Sequence, residues 1–154
     1  MSDVLAVVEH RRGELRDVSL ELITAGRELA AALDGELHLA VIGGDVDRLA
    51  DRLTRDGVAV IHTISAGAEF NHDVYVQAVE ALYSSLSPDV LLAPHTVNAL
   101  DYVPAVAMDL GLPLVTDVLE LDLEDPQLQA TRGYYESKIE APVAIDERPC
   151  AVTV

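Results

Sequence analysis

The chain has 154 residues, with 10 Lys and Arg against 27 Asp and Glu, a net charge of −17 and one cysteine. This length suffices to bury a core without disulfides or metals. Half the residues are hydrophobic, which argues against disorder, while the acidic balance disfavours nucleic acid and anionic membrane surfaces.

Asp3 to His10 is a nearly unbroken apolar run, the pattern of a strand buried on both faces. Arg11-Arg12-Gly13-Glu14 is a polar turn, and Asp17 is placed to cap a helix carrying Val18, Leu22, Ala25, Leu29 and Ala32. Asp34-Gly35 stops that helix. Glu36 to Ile42 reads as a second strand, followed by Gly43-Gly44-Asp45 and a helix with Val46, Leu49, Ala50 and Leu53 on one face. Asp56-Gly57 closes it. Val58 to Ile64 is a third strand, Ser65 to His72 a loop, and Asp73 to Leu86 a helix with Tyr75, Val79, Leu82 and Leu86 in a stripe. Asp89 to Pro104 holds the fourth strand, a polar turn and the fourth helix. Leu112 to Val115 is the fifth strand. This rhythm predicts a Rossmann-like three-layer α/β/α fold with a mostly parallel sheet, formed as one domain over residues 1–154.

From Val118 the pattern alternates apolar and acidic. Leu128 to Tyr135, Lys138 to Val143 and Cys150 to Val154 look like further β segments, with turns at Glu124-Asp125-Pro126 and Asp146-Glu147-Arg148-Pro149. Residues 118–154 therefore read as a C-terminal antiparallel β extension of the sheet.

Ligands of such sheets bind beyond the carboxyl ends of the strands, where the strand order reverses. The first and fourth strands flank that point. Their ends carry Glu9-His10 and Pro94-His95-Thr96; His10 and His95 would face each other, and amides behind Thr96 and Asn98 would suit an anion. Loop histidines satisfied by water or backbone are the plainer reading. Gly43-Gly44 admits a phosphate to the backbone, but lacks the spacing of a nucleotide-binding glycine motif and is explained as well by a tight turn with Asp45 as cap. The five histidines and Cys150 show no metal-ligand spacing, and no catalytic set stands out. Arg132 and Lys138, late cations in an acidic chain, suit an anionic ligand or surface ion pairs. The scattered acids suit a salt-rich, halophilic cytoplasm, which tolerates them by screening, or a protein steering towards a basic partner. A single cysteine fits a reducing cytoplasm.

Ala93-Pro94-His95-Thr96, Asp101, Pro104, Asp109-Leu110-Gly111-Leu112-Pro113 and Thr116-Asp117-Val118 resemble the N-terminal domain of the electron transfer flavoprotein alpha subunit. So do Val4 to His10 with Gly13-Glu14-Leu15, and the tail with Arg132, Tyr134, Tyr135, Lys138, Thr153 and Val154. The family's Gly-Arg before Asp101 is Ala99-Leu100 here. Its arginine after the proline is Ala105, and its glycine before the tail lysine is Ser137. The alpha subunit continues into a second domain that holds most of the flavin site, and this sequence ends first. The resemblance implies a scaffold that pairs with a beta-type subunit or a separate FAD-domain protein, with FAD bound only alongside that partner. The candidate cofactor-binding residues are His10, Gly43, Gly44, His95, Thr96, Asn98 and Asp101. The alternatives are a stand-alone adenine-nucleotide module binding AMP or ATP, and a homo-oligomer closing its β extension against a second copy.

Overall fold

The computed structural model describes residues 2–124 and 127–154. The predicted turn at Glu124-Asp125-Pro126 thus lies largely outside the described residues. In chain order the elements are β1 (Val4–Val7), β2 (His10–Arg11), β3 (Glu14–Leu15), α1 (Asp17–Ala32), β4 (Leu37–Gly43), α2 (Val46–Leu53), β5 (Val60–Ser65) and α3 (His72–Leu86). They continue with β6 (Val90–Ala93), α4 (Val97–Leu110), β7 (Leu114–Val115), β8 (Val118–Glu124), β9 (Gln127–Tyr134), β10 (Ile139–Ile145) and β11 (Cys150–Thr153).

Six strands form one parallel sheet in the order β5-β4-β1-β6-β11-β7. Its alternating side chains feed two cores. Val4, Ala6, Leu39, Leu92 and Val152 pack with Leu22 and Ile23 of α1 and Leu49 and Leu53 of α2. Leu5, Val7, Ile42, Leu91 and Ala151 pack with Tyr75 and Val79 of α3 and Tyr102, Val103 and Val106 of α4. This is the three-layer α/β/α arrangement expected from the rhythm of the sequence. Helix α1 comes close to β4: a Cβ added at Gly26 would lie 2.8 Å from Leu37 Cδ1.

A separate three-stranded antiparallel sheet, β10-β9-β8, follows. Its inner face, with Leu128, Ala130 and Ile145, joins the core beneath α1. The outer face carries Glu120, Asp122 and Glu124 and is exposed.

Several local expectations are corrected. Cys150–Thr153 is not part of the antiparallel extension; β11 runs parallel between β6 and β7. All four of its residues are buried, and a run buried on both faces belongs inside a parallel sheet rather than on a one-sided ribbon. The first strand ends at Val7, and His10–Arg11 pairs instead with Glu14–Leu15 around a turn whose Arg12 and Gly13 have φ of 53° and 75°. Asp17 does not cap α1: Arg16 holds the cap position with no side-chain bond, and Asp17 is the first helical residue. There its charge still favours the helix N-terminus. Asp45 does precede α2 but makes no side-chain cap bond. The buried stripe of α1 is Ser19, Leu22, Ile23, Gly26, Leu29 and Ala30, with Ala32 exposed. No helix is long and apolar enough to cross a membrane among the described residues.

Candidate functional site

The chain runs out from β1 and back to β6 on the opposite side, so the strand order reverses between these two neighbours. Glu9 leaves β1 at that point. It is an acid directly after five apolar residues, and it is only 6% exposed. Its backbone is fixed first: the Glu9 amide donates to Ser19 Oγ at 2.8 Å, and the Ser19 hydroxyl donates to the Glu9 carbonyl at 2.8 Å. The carboxylate is then held from two sides. Arg16 Nη1 donates to Oε1 at 2.6 Å, and the Thr96 hydroxyl donates to Oε2 at 2.5 Å.

Thr96 is also the N-cap of α4, where its Oγ1 accepts from the Ala99 amide at 3.2 Å. The positive end of a helix with unpaired amides is where an anion is held best. Here the chain's own carboxylate reaches that end through Thr96. A phosphate brought to the same place would meet a buried negative charge.

The glycines after β4 show the same internal filling. A Cβ on Gly43 would clash with the edge of the His10 imidazole, 2.7 Å from its Cε1, and the ring's Nε2 lies 2.6 Å from the Ile42 carbonyl. A Cβ on Gly44 would touch Ala68 at 3.4 Å. Gly43 is thus what lets His10 lie against β4. Tyr75 reaches the same Ile42 carbonyl at 3.1 Å, and its burial, helped by the charge of Glu9, pushes its hydroxyl up to about 12.

His95 turns the other way. Its Nδ1 is 3.0 Å from Thr153 Oγ1 and its Nε2 is 3.8 Å from Asp117 Oδ1. Thr153, fully buried, also accepts the Asp117 amide at 3.1 Å. His10 and His95 therefore do not face one another; each leans on a different neighbouring strand, with Glu9 and Thr96 between them. Asn98 sits half-buried in the first turn of α4. Asp101 Oδ1 lies 3.5 Å from His72 Nδ1, where the starts of α3 and α4 come near each other. So the structure brings His10 with Gly43, Thr96 with Glu9, and His95 with Asp117. It does not gather the seven candidates around one point.

Beyond β7, Arg132 of β9 donates from Nη2 to Thr116 Oγ1 at 3.4 Å and lies 5.3 Å from the Tyr134 ring centre. Its Nε is buried with no acceptor among the described residues. No three His, Cys, Asp or Glu gather in a metal-binding arrangement among those residues. His38 Nδ1 lies 3.0 Å from His62 Nε2 and its Nε2 lies 3.7 Å from Glu36 Oε2, and burial together with His38 holds His62 below its usual value.

Sequence reasoning gave Glu9, Ser19 and Thr153 no role in the site. The signal for Glu9 was present, as a lone acid ending a doubly buried strand. Ser19 and Thr153 had none, because their roles depend on contacts ten and more residues away in sequence.

A sequence profile of the electron transfer flavoprotein domain matches residues 4–154. The electron transfer flavoprotein subunit alpha of Methylophilus methylotrophus is 36% identical over 144 residues, covering 93% of this chain and 45% of the relative. The subunit alpha of Clostridium acetobutylicum is 30% identical over 156 residues, covering 98% and 46%. The protein FixB of Azorhizobium caulinodans is 29% identical over 163 residues, covering 98% and 43%. The chain spans a little under half the length of these curated relatives.

Proposed function

The chain belongs to the electron transfer flavoprotein domain family, and on that premise we propose that it is an alpha-type scaffold and docking subunit of a flavin-dependent electron carrier. The observation that carries this reading is the match through residues 4–154 combined with a strand edge filled by its own side chains. Glu9 lies against the α4 N-terminus and His10 against Gly43. These residues do not fit the phosphates of FAD or AMP on their own. FAD is then held with a beta-type subunit or a separate FAD-domain protein. The flavin supplies the electron chemistry, and this chain supplies orientation and charge. His95, Asn98 and Asp101 are the candidates left to face a cofactor that the partner holds. The setting is the cytoplasm, in keeping with a single buried thiol.

The purified chain is expected to be colourless. Co-expression with a beta-type subunit or a FAD-domain protein is expected to yield a yellow complex with flavin absorbance. A stable complex that never contains flavin would overturn the reading. Calorimetry with AMP and ATP is expected to give no binding heat; clear saturation by either would favour a stand-alone nucleotide module instead.

A further inference from the structure

Two helices of unequal length share one face of the parallel sheet. α1 has 16 residues and α2 has 8, a rise of about 24 Å against about 12 Å. β4 has 7 residues and is about 23 Å long. α2 therefore covers about half of it, and residues 54–59 return to β5 without a helix. What remains open, at the amino ends of β4 and β5, is a cleft of about 300 Å³. Leu37 and Ala30, both buried, form its floor, and Ala31, Val58 and Ala59 line its sides. Its volume lies at the lower end of the range for small-ligand sites. It sits at the other end of β4 from Gly43 and the reversal edge.

Arg27 gives this apolar cleft its sign. A Cβ on Gly57 would lie 2.6 Å from Arg27 Nε and 3.3 Å from both Cδ and Cγ. The arginine stem is thus laid flat across Gly57, which has a φ of 85°. Arg16 pairs with Glu9, Arg48 and Arg52 with Glu14, and Arg148 with Asp89. Arg27 makes no ion pair or hydrogen bond among the described residues. Glu36 borders the cleft, but side chains alternate along a strand. Glu36 shares the opposite face with His38, whose Nε2 lies 3.7 Å from its Oε2. A guanidinium at the mouth of an apolar cleft suits a carboxylate whose apolar body lies inside. One cation matches one negative charge. A dianion would carry an uncompensated charge into a molecule of net charge −17.

We propose that this cleft binds a small monocarboxylate with a short apolar body. The carboxylate is held by Arg27, and the body rests on Leu37, Ala30 and Val58. The site is separate from the strand edge considered for a cofactor and does not depend on the alpha-subunit reading.

The test is a titration of the isotope-labelled full chain, followed through its backbone amide NMR signals. The probes are hexanoate, hexanol, acetate and hexylamine. Hexanoate is expected to give saturable shifts centred on residues 27–37 and 57–59, and hexanol the same shifts about tenfold more weakly. Acetate and hexylamine are expected not to saturate. Arg27→Gln is expected to weaken hexanoate about tenfold and to leave hexanol unchanged. Ala31→Leu, at an exposed helix position, fills the cleft and is expected to abolish both. Thermal midpoints identify any folding defect, and the four probes on the native chain carry the test should either variant fail to fold. The proposal is overturned if hexanoate gives no saturable shift, if hexylamine binds as tightly, or if a folded Arg27→Gln binds hexanoate as well as the native chain. None of these outcomes bears on whether the chain forms a yellow complex with a partner, so the two readings fail separately.

Discussion

The reversal edge of the parallel sheet and the free end of the antiparallel sheet are built on different principles. At the reversal edge the strand-end polar groups pair inside the chain, Glu9 with Arg16, Thr96 and Ser19, and Thr153 with His95 and Asp117, while His10 Nδ1 is buried without a partner among the described residues. At the free end Arg132 has a buried nitrogen without an acceptor, and Tyr135 and Ile139 face water. A satisfied polar network fixes a conformation, whereas a sheet end with few buried contacts is held less firmly. The position that invites a ligand by topology alone is thus largely filled by the chain's own side chains, and the less regular region is the more exposed one.

The largest effect is expected at Glu9. Glu9→Ala strips the acceptor from the Thr96 hydroxyl and from Arg16, and is expected to cost about 2–3 kcal/mol. Thr96→Ala removes both a cap and a carboxylate donor and is expected to cost about 1–2 kcal/mol. Urea midpoints at constant slope measure both. Tyr135→Ser is expected to stay within about 0.5 kcal/mol in the same assay. A Tyr135→Ser cost as large as that of Glu9→Ala would break the contrast between the two regions.

Gly43→Ala comes next. Its new methyl would displace the His10 imidazole from the Ile42 carbonyl, at about 1–3 kcal/mol. If Gly43 instead served a phosphate, the same substitution would leave stability intact and abolish nucleotide binding.

Alkaline pH sharpens the contrast from inside the core. Burial pushes the Cys150 thiol from its ordinary 9.0 up to about 12. Its folded value is raised, so the unfolded chain loses the proton first. Stability is full below pH 9 and falls as pH rises towards 12, by about 1.4 kcal/mol per pH unit within that window. Tyr75, raised from 10.0 to about 12, adds to the loss above pH 10. Cys150→Ala is expected to remove the part that begins near pH 9. A disulfide reagent is expected to leave the native thiol unreacted at neutral pH and to label it on unfolding.

What was legible in the sequence follows from range. The unbroken runs Val4–Val8 and Val90–Ala93 and the helical stripes announce buried strands and amphipathic helices through nearest neighbours alone, so the layered architecture was readable. The alternation from Val118 likewise marked a one-sided sheet. The placement of β11 was not read, because pairing with β6 and β7 is a choice among distant partners; still, four apolar residues without alternation were a usable sign. At the reversal edge the turn residues were found but their partners were not. The loss of His10 to β4 depends on the missing Cβ of Gly43, which the sequence shows only as a glycine. The free end was visible as Arg132, Tyr134, Tyr135 and Lys138, but their placement at one sheet end required the register break between Val118 and Glu120 and the left-handed turn at Tyr135, Glu136 and Ser137.

The smallest expected effect bears most directly on that turn. Ser137 has a φ of 60°, a conformation that costs a non-glycine residue about 1–2 kcal/mol, while glycine loses about 0.5–1 kcal/mol more chain freedom on folding. Ser137→Gly is therefore expected to stabilise the chain by a few tenths of a kcal/mol. Gly133 makes the effect separable. A Cβ there would lie 2.7 Å from Ser137 Oγ but 3.4 Å from Ser137 Cα. Gly133→Ala should destabilise the native chain yet be nearly neutral in the Ser137→Gly background, a coupling that a double-mutant cycle reads directly. Additive effects would mean that the turn yields around the new methyl, and that the free end is looser than the reversal edge.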